Sequence, residues 1–440
     1  MRPLFQGGLF FKEENKLNVL NEREKYRKKI IMHGINGIMT NKQISMSLMI
    51  TVRRICQIKA KYRKEGDAAF IHGNRGKAPV NKTNEAIKRQ ILDTKETVMD
   101  GVKIFEEVNF CHFAEILSEE YNIKVSGKTV AKILKEKGYQ SPKKHRKKET
   151  KKLHLMRPRK ESMGELVQAD GSPFDWLGDG NQYCIQGFVD DATGIPVGLY
   201  MTRHECLLGY IEATRQMVQT YGIPQQLYPD RLGVFFINTK NKDDDGKKRL
   251  TQFGRMMEEL GIDMFPAYSP QAKGRIERFW ETIQSRLPVE LKMRGIKTIE
   301  AANKFLPEFM EKYKRRFFVK PARDESLFVP VDQEEVRRIN DLLVIKIPRK
   351  TDGAGVLSIQ GYKFVAADCI RKHVTVVLSE KYGIYVTTAD GSRHKMLLLE
   401  IGKGSKARHL PEVQKLLIHD FFLKDSKSRY RKYEEIEGMG

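Results

Sequence analysis

The stretch from residue 165 to about residue 288 constrains the fold most, because its hydrophobic pattern switches between strand and helix periodicity. Three strands joined by short turns come first, at 165–170, 182–190 and 195–201. Helices and strands then alternate, at 206–221, 226–230, 251–260, 262–265 and from 269 onward. A meander followed by alternating helices and strands predicts an α/β domain built on a mixed sheet.

Three acidic residues occupy separate elements of this pattern. Asp170 lies on the first predicted strand, Asp230 ends the fourth, and Glu277 lies on the helix after the fifth. This order of elements is that of an RNase H-like core, in which acids at these places converge. Carboxylate oxygens suit Mg²⁺ or Mn²⁺. Two such ions activate an attacking oxygen and stabilise a leaving oxygen in phosphodiester displacement, so the sequence predicts a site for two divalent cations.

Other acids compete with these three. Glu281, one helical turn after Glu277, is the main rival for the third position. Turn formation is the simpler explanation for Asp190 and Asp191, which stand beside a glycine turn. The remaining acids are expected to face solvent in a hairpin or a polar loop, and they are Asp175, Asp179, Asp243, Asp244 and Asp245.

The charge of the chain indicates a polyanionic partner. Lys and Arg number 80 against 56 Asp and Glu, which gives a formal net charge of +24 and a pI of about 9.6. Such an excess favours nucleic acid over a membrane, and no apolar run approaches the roughly 20 residues of a membrane helix. A generally basic soluble protein is the alternative. No G-x-x-x-x-G-K-[ST] motif occurs, so nothing suggests use of ATP or GTP.

The cysteines favour a reducing compartment. There are five, they are scattered, and none forms a C-x-x-C pair: Cys56, Cys111, Cys184, Cys206 and Cys369. A disulfide framework is therefore not expected, and a cytoplasmic location is the prediction.

After an N-terminal arm at 1–21, residues 22–66 have the pattern of a helix-turn-helix unit. Thr40 and Gln43 match a capping box, and the helix predicted at 52–62 turns an apolar stripe inward. The second helix of such a unit enters the major groove of DNA, although an ordinary helical hairpin with a basic face shows the same pattern. The predicted DNA contacts, which lie away from the stripe, are Arg53, Arg54, Gln57 and Lys61.

A similar helical pattern recurs at 83–140, after a basic linker at 67–82 that contains Arg75. Arg75 is predicted either to reach the minor groove or to belong to a plain tether. Ser126 is the expected N-cap of the last helix and Gly138 its stop. The outward residues of this helix, Lys128, Thr129 and Lys132, are further predicted DNA contacts. Two tandem units favour DNA recognition.

Three flanking regions complete the predicted organisation. A linker at 141–162 includes ten Lys or Arg between residues 143 and 160, with Glu149 as the one acid. Sequence-independent contacts with phosphates are expected there. Beyond the core at 163–295, a helical connector at 296–340 precedes alternating residues at 341–402. Short strands with glycine turns predict a small all-β barrel, and a basic tail occupies 403–440.

The segment Ser269-Pro-Gln-Ala-Lys-Gly-Arg-Ile-Glu277 resembles the third-acid motif of DDE transposases. From about Gly164 to Pro288 the sequence is similar to the catalytic core of those enzymes and of retroviral integrases. With its flanking regions, the chain from about residue 22 to residue 400 resembles bacterial insertion-sequence transposases, particularly the ISNCY group. The interval from Asp230 to Glu277 (277 − 230 = 47) is longer than usual. A polar insertion at 238–249 accounts for the difference.

The resemblance implies a function and a set of partners. Asp170, Asp230 and Glu277 would bind Mg²⁺ or Mn²⁺, while Lys273 and Arg275 would contact the DNA backbone or be ordinary surface charge. The implied chemistry is nicking at element ends and attack of the freed 3′-hydroxyl on target DNA. The partner would be double-stranded DNA, bound by a homodimer or higher multimer. The alternatives are a catalytically inactive DNA-binding regulator and a purely hydrolytic RNase H-like nuclease. No His-His-Cys-Cys zinc module is present.

Overall fold

A computed structural model of the chain describes residues 20–75, 82–142, 157–237, 250–267, 273–379, 382–400 and 409–424. The chain divides into two compact units, residues 1–89 and residues 90–440. Several predicted features lie outside the described residues: most of the arm, part of each linker, the insertion with Asp243, Asp244 and Asp245, the start of the third-acid motif and most of the tail.

The first unit contains three helices and a 3-10 helix. They are α1 (Glu22–Ile35), α2 (Asn41–Leu48), α3 (Val52–Glu65) and the 3-10 helix Gly66–Phe70. Thr40 and Gln43 form the predicted capping box of α2. Met49 adopts a left-handed conformation, with φ of 51°, in the turn between α2 and α3. The core of this unit consists of Ile31, Ile44, Ile55, Ile58 and Phe70.

Helix α4 (Glu85–Lys95) crosses the boundary between the units. The second unit continues with a hairpin of β1 (Val98–Met99) and β2 (Val102–Lys103), then α5 (Phe110–Glu120) and α6 (Gly127–Glu136). Ser126 caps α6 as predicted. The hairpin was not predicted, although its Asp100-Gly101 turn, with both φ angles positive, is a strong hairpin signal.

A five-stranded mixed sheet forms the centre of the second unit. Its strands are β3 (Val167–Phe174), β4 (Tyr183–Asp190), β5 (Pro196–Thr202), β6 (Gln226–Tyr228) and β7 (Asp263–Met264). The order across the sheet is β5-β4-β3-β6-β7, and β6 and β7 run parallel to β3. The associated helices are α7 (Leu207–Thr220), α8 (Gln252–Glu259) and α9 (Gly274–Gln284). The predicted α/β core with a mixed sheet is confirmed.

Both faces of this sheet are covered, because side chains alternate along each strand. Val167 and Ala169 of β3 belong to a core that includes Tyr210 of α7 and Phe253 of α8. The opposite face contributes Val189 and Leu199 to a second core with residues of α9 and of a later helix. Helix α9 therefore packs on one face of the strand that carries Asp170.

The chain after α9 continues as α10 (Leu287–Met293), α11 (Ile299–Phe317) and α12 (Gln333–Leu342). Polar contacts join α5 to α10 and to Arg286, the residue before α10. The Nε2 atom of His112 lies 3.3 Å from Oε1 of Glu290, and Arg286 donates to Glu115 at 2.6 Å. Helix α5 thus contacts α10 and the residue before it within the second unit.

The C-terminal region is all-β up to residue 400. Its strands are β8 (Ile345–Lys350), β9 (Val356–Ile359), β10 (Tyr362–Val365), β11 (His373–Ser379), β12 (Gly383–Thr387), β13 (Arg393–Lys395) and β14 (Leu397–Glu400). The described strands form two sheets, β14-β10-β9 and β13-β12-β11-β8, and their closure into one barrel stays a prediction. Helix α13 (Leu410–Ile418) and a π-helix (His419–Leu423) follow. No helix within the described ranges is long and apolar enough to cross a membrane.

Candidate active site

Helix α9 packs along β3, and every fourth residue of the helix contacts every second residue of the strand. Three hydrogen bonds connect them, at 3.1, 3.1 and 3.0 Å, and they join Ile276 to Gln168, Trp280 to Asp170 and Gln284 to Ser172. Four residues of a helix rise about 6 Å, and two residues of a strand rise about 6.6 Å. The two elements therefore stay in register over the length of the contact, and the helix is held against the strand that carries Asp170.

Asp170 and Asp230 lie on neighbouring segments of the fold. Gln168 of β3 pairs with Tyr228, the last residue of β6, and each acid follows its paired residue by two positions. Asp170 therefore lies within β3, whereas Asp230 lies two residues beyond the end of β6 rather than at its end as predicted. Parallel strands lie about 4.8 Å apart, so the two acids arise from adjacent parts of the fold. Oδ1 of Asp230 accepts a hydrogen bond from the backbone N–H of Leu232 at 2.9 Å.

Glu277 lies in the first turn of α9 and is exposed. It follows Ile276, whose backbone N–H is bonded to β3. Glu281 is also exposed, one turn further along, so its competition with Glu277 stays open.

The three acids have the donor chemistry that Mg²⁺ and Mn²⁺ prefer. In the part of the chain that the structure describes, no three Asp, Glu, His or Cys side chains are close enough to hold a metal ion. The role of Asp170, Asp230 and Glu277 as metal ligands stays a prediction.

The two basic residues predicted to touch DNA beside Glu277 are engaged within the protein. Lys273 is 6% exposed, and its Nζ atom lies 2.7 Å from Oδ1 of Asp170. Arg275 pairs with Asp191 at 3.3 Å and donates to the carbonyl oxygen of Arg157 at 3.0 Å. Burial lowers the pKa of the Arg275 guanidinium. Their contact with DNA stays a prediction.

Asp191 does more than form a turn. It is fully buried, and its carboxylate accepts hydrogen bonds from Gln168 at 2.8 Å, from the backbone N–H of Lys160 at 2.8 Å and from Arg157. Asp190, by contrast, accepts from the backbone of Gly164 and from Thr193 within the turn. Burial raises the pKa of Asp190. The sequence analysis missed the Asp191 network because its partners are distant in the chain.

Glu205 is an acid near Asp170 that the sequence analysis also missed. A Cβ atom on Gly171 would lie 2.7 Å from Oε1 of Glu205, so this carboxylate covers the residue after Asp170. The hydroxyl of Tyr210 donates to the same oxygen at 2.6 Å. Burial, reinforced by the charges of Glu205 and Asp170, raises the Tyr210 pKa well above its usual value. Glu205 lies between β5 and α7, where no periodic pattern marks it.

Two rival acids belong to the β3–β4 connection. The carboxylate of Asp175 accepts hydrogen bonds from the backbone N–H groups of residues 178, 179 and 180. Asp179 is exposed and accepts from the Tyr183 hydroxyl at 2.6 Å. Both side chains organise the loop itself, which agrees with their expected role outside the site.

Most of the predicted DNA contacts on the helices are accessible. The exposed ones are Arg53, Arg54, Gln57 and Lys61 on α3, and Lys128 and Lys132 on α6. Thr129 is half-buried, and its hydroxyl lies 2.9 Å from that of Ser126. Arg75 forms an ion pair with the buried Glu24 at 2.8 Å, so it stabilises the first unit. Recognition of DNA by these residues stays a prediction.

The chain is similar to two bacterial proteins over most of its length. It is 33% identical over 420 residues, 87% of each chain, to the transposase for insertion sequence IS1202 of Streptococcus pneumoniae. It is 32% identical over 318 residues to y4bF of Sinorhizobium fredii, a protein named as a transposase. That match covers 72% of this chain and 67% of y4bF.

Among solved structures, the chain is similar to the catalytic core domain of the HTLV-2 integrase in complex with magnesium. The identity is 18%, the match covers 33% of this chain and 84% of that one, and the TM-score is 0.26. No family model matches the chain.

Proposed function

The chain belongs to the insertion-sequence transposases, and on that premise we propose that it cleaves DNA at the ends of its insertion sequence and joins them to target DNA. The observation that carries this proposal is the placement of three acids around β3. Asp170 lies within β3, Asp230 follows the neighbouring parallel strand β6 by two residues, and the helix with Glu277 is hydrogen-bonded along β3. This arrangement supports a phosphodiester-cleaving site beside Asp170 and the end of β6.

The proposed reaction has two displacements at phosphorus. In the first, a water oxygen bonds to the phosphorus at an element end. The bond to the 3′ oxygen breaks, and that oxygen leaves as a hydroxyl with one of the water protons. In the second, the freed 3′-hydroxyl attacks a phosphorus of the target strand and loses its proton. The bond to the target's 3′ oxygen breaks, and that oxygen takes up a proton.

Asp170, Asp230 and Glu277 would hold two divalent cations, Mg²⁺ or Mn²⁺. Such ions supply Lewis acidity and an activated oxygen when bound. The protein's own contribution is to orient the carboxylates. Trp280 donates to Oδ2 of Asp170 at 3.1 Å, and this hydrogen bond restricts rotation of the Asp170 side chain.

DNA recognition is assigned to the two helical regions. The exposed basic faces of α3 and α6 carry Arg54 and Lys132, and a positive helix face that enters a groove reads bases or phosphates. The strands after residue 344 would close into a small barrel that aids DNA binding and assembly. Because two element ends must meet one target, we propose a homodimer or higher multimer on DNA in the bacterial cytoplasm.

A strand-transfer assay tests this function. The full chain is incubated with DNA that carries the ends of its own element and with a target plasmid, in Mg²⁺ or in EDTA. Metal-dependent joining is expected for the wild type, and its loss is expected for Asp170→Asn, Asp230→Asn and Glu277→Gln, with DNA binding retained.

Each other outcome of this assay would indicate a different activity. Cutting without joining would indicate a hydrolytic nuclease, and specific binding without cutting would indicate a regulator. Loss of activity in Glu281→Gln together with full activity in Glu277→Gln would move the third acid to Glu281.

A further inference from the structure

We propose that Gln168 and Asp191 are positioning residues that set the place of Glu277 relative to Asp170. The inference rests on the proposed function of these two acids. Gln168 stands two residues before Asp170 on β3, and its side chain bonds to the residue immediately before Glu277. The Gln168 amide is therefore a short physical link between the strand and the helix that carry the proposed site.

The Gln168 amide is held at both ends in a fully buried environment. Its Oε1 atom accepts from the backbone N–H of Ile276 at 3.1 Å, and its Nε2 atom donates to Oδ1 of Asp191 at 2.8 Å. The first N–H groups of a helix have no acceptor within the helix. Gln168 supplies one for α9, and it does so one residue before Glu277.

Asp191 determines which way this amide faces. A carboxylate accepts hydrogen bonds only, so it selects the Nε2 end of Gln168 and leaves Oε1 for Ile276. Asp191 is in turn held by Arg157 and by Arg275, which lies on α9 itself. Strand, turn and helix are thus joined by one buried polar network, in which loss of one partner leaves another buried group unpaired.

Farther along the helix, Trp280 bonds to Asp170 and Gln284 bonds to Ser172. At its start, Lys273 pairs with Asp170 and Arg275 pairs with Asp191, both through long side chains. The Gln168 contact holds the backbone of the first turn beside Glu277, so its loss shifts that turn while the rest of the helix stays anchored. A misplacement of about 1 Å at a reacting centre can cost about 100-fold in rate.

The test changes the donor and the acceptor of the hydrogen bond between Gln168 and Asp191. Gln168→Glu places two carboxylates against each other and should lower kcat for cleavage by about tenfold to 100-fold, with a small change in KM for element-end DNA. Adding Asp191→Asn gives Q168E/D191N, which restores a donor–acceptor pair with its polarity reversed. It keeps the net charge and an acceptor for Ile276, but Arg157 and Arg275 lose the Asp191 oxygen that they share with Gln168, so kcat should recover in part.

Gln168→Met is the second variant, because it removes both hydrogen bonds without adding charge. It should lower kcat while the protein keeps its fold, monitored by circular dichroism. The matched control is Gln216→Glu. Gln216 also accepts from a backbone N–H, in its case that of Leu199 on β5 at 3.0 Å, and the kcat of Gln216→Glu should stay at the wild-type value.

Binding of Mn²⁺, followed by electron paramagnetic resonance, gives a readout apart from turnover. We expect weaker binding in Gln168→Glu and Gln168→Met and recovery in Q168E/D191N. Wild-type kcat in Gln168→Met, or no recovery in the double variant, would overturn the positioning role. A wild-type protein that neither cuts nor joins DNA would instead overturn the proposed function.

Discussion

The Nζ atom of Lys273 lies 2.7 Å from Oδ1 of Asp170, and the lysine side chain is only 7% exposed. The other carboxylate oxygen of Asp170 accepts from Trp280 at 3.1 Å. Both oxygens of the first predicted acid are therefore engaged, one by Lys273 just before α9 and the other by Trp280 within the helix. A divalent cation that binds Asp170 must compete with an ammonium group that the protein itself supplies.

We predict that Lys273→Met binds Mn²⁺ about tenfold more tightly than the wild type, a difference of about 1.4 kcal/mol. The physical reason is that the substitution removes the competing cation while it keeps a side chain of similar length. Isothermal titration calorimetry without DNA measures this affinity. Lys273→Arg, which retains the positive charge, is the control and should bind Mn²⁺ no more tightly than the wild type. Equal affinities in the Met variant and the wild type would contradict the prediction.

Gly187 is predicted to be essential for the shape of the site. It pairs with Asp170 across β3 and β4, and a Cβ atom at this position would lie 2.7 Å from Leu199 and 2.8 Å from Trp280. Gly187→Ala should destabilise the protein by about 1–3 kcal/mol through overpacking and should lower cleavage by displacing Trp280.

Urea unfolding and a cleavage assay measure the two effects of Gly187→Ala. Gly73→Ala is the control, because a Cβ atom on Gly73 meets nothing within 4 Å. The explanation by overpacking would be wrong if the two alanine variants were equally stable.

Acid should weaken the contact between α5 and α10. Burial acts to raise the pKa of Glu290, but the hydrogen bond from His112 and the charge of Lys312 outweigh it and lower the pKa to about 2. The folded-state pKa is below the ordinary 4.5, so this stabilisation is present above about pH 4.5 and is lost as the pH falls toward 2. Its size is at most about 3 kcal/mol.

The prediction is that Glu290→Gln lowers the free energy of unfolding near neutral pH and flattens its decline between about pH 4.5 and pH 3. Urea titrations at several pH values measure this. Glu308→Gln serves as the control, since the Glu308 side chain is 61% exposed and exposed ion pairs contribute little. Parallel pH profiles of Glu290→Gln and the wild type would show that Glu290 does not carry the effect.

Arg54→Ala and Lys132→Ala are each predicted to weaken binding to element-end DNA. If each residue neutralises one phosphate, the slope of log K against log salt should fall by about 1 per substitution. Fluorescence anisotropy at several salt concentrations measures the slope. The control is Lys320→Ala, which removes an exposed lysine that pairs with Asp324 at 3.0 Å. Unchanged slopes in both test variants would reject the helical regions as phosphate-binding surfaces.

Local features of the chain could be predicted well because their causes lie within a few residues. The capping box of Thr40 and Gln43 and the N-cap Ser126 occur where the sequence predicts them. The strands and helices of the central sheet also follow the predicted order. The 3-10 helix and the Asp100-Gly101 hairpin were missed, since both are short. The C-terminal strands were predicted, but their division into two sheets was not.

The sequence by itself determined the order of elements, the basic character and the assignment of the three acids to separate parts of the fold, since periodicity, capping and charge are local properties. Tertiary structure alone decided what those acids meet. Lys273 is 103 residues from Asp170, and Ile276 is 108 residues from Gln168. No local pattern records such a pairing, because it arises only when α9 packs along β3 and the buried polar groups must satisfy one another.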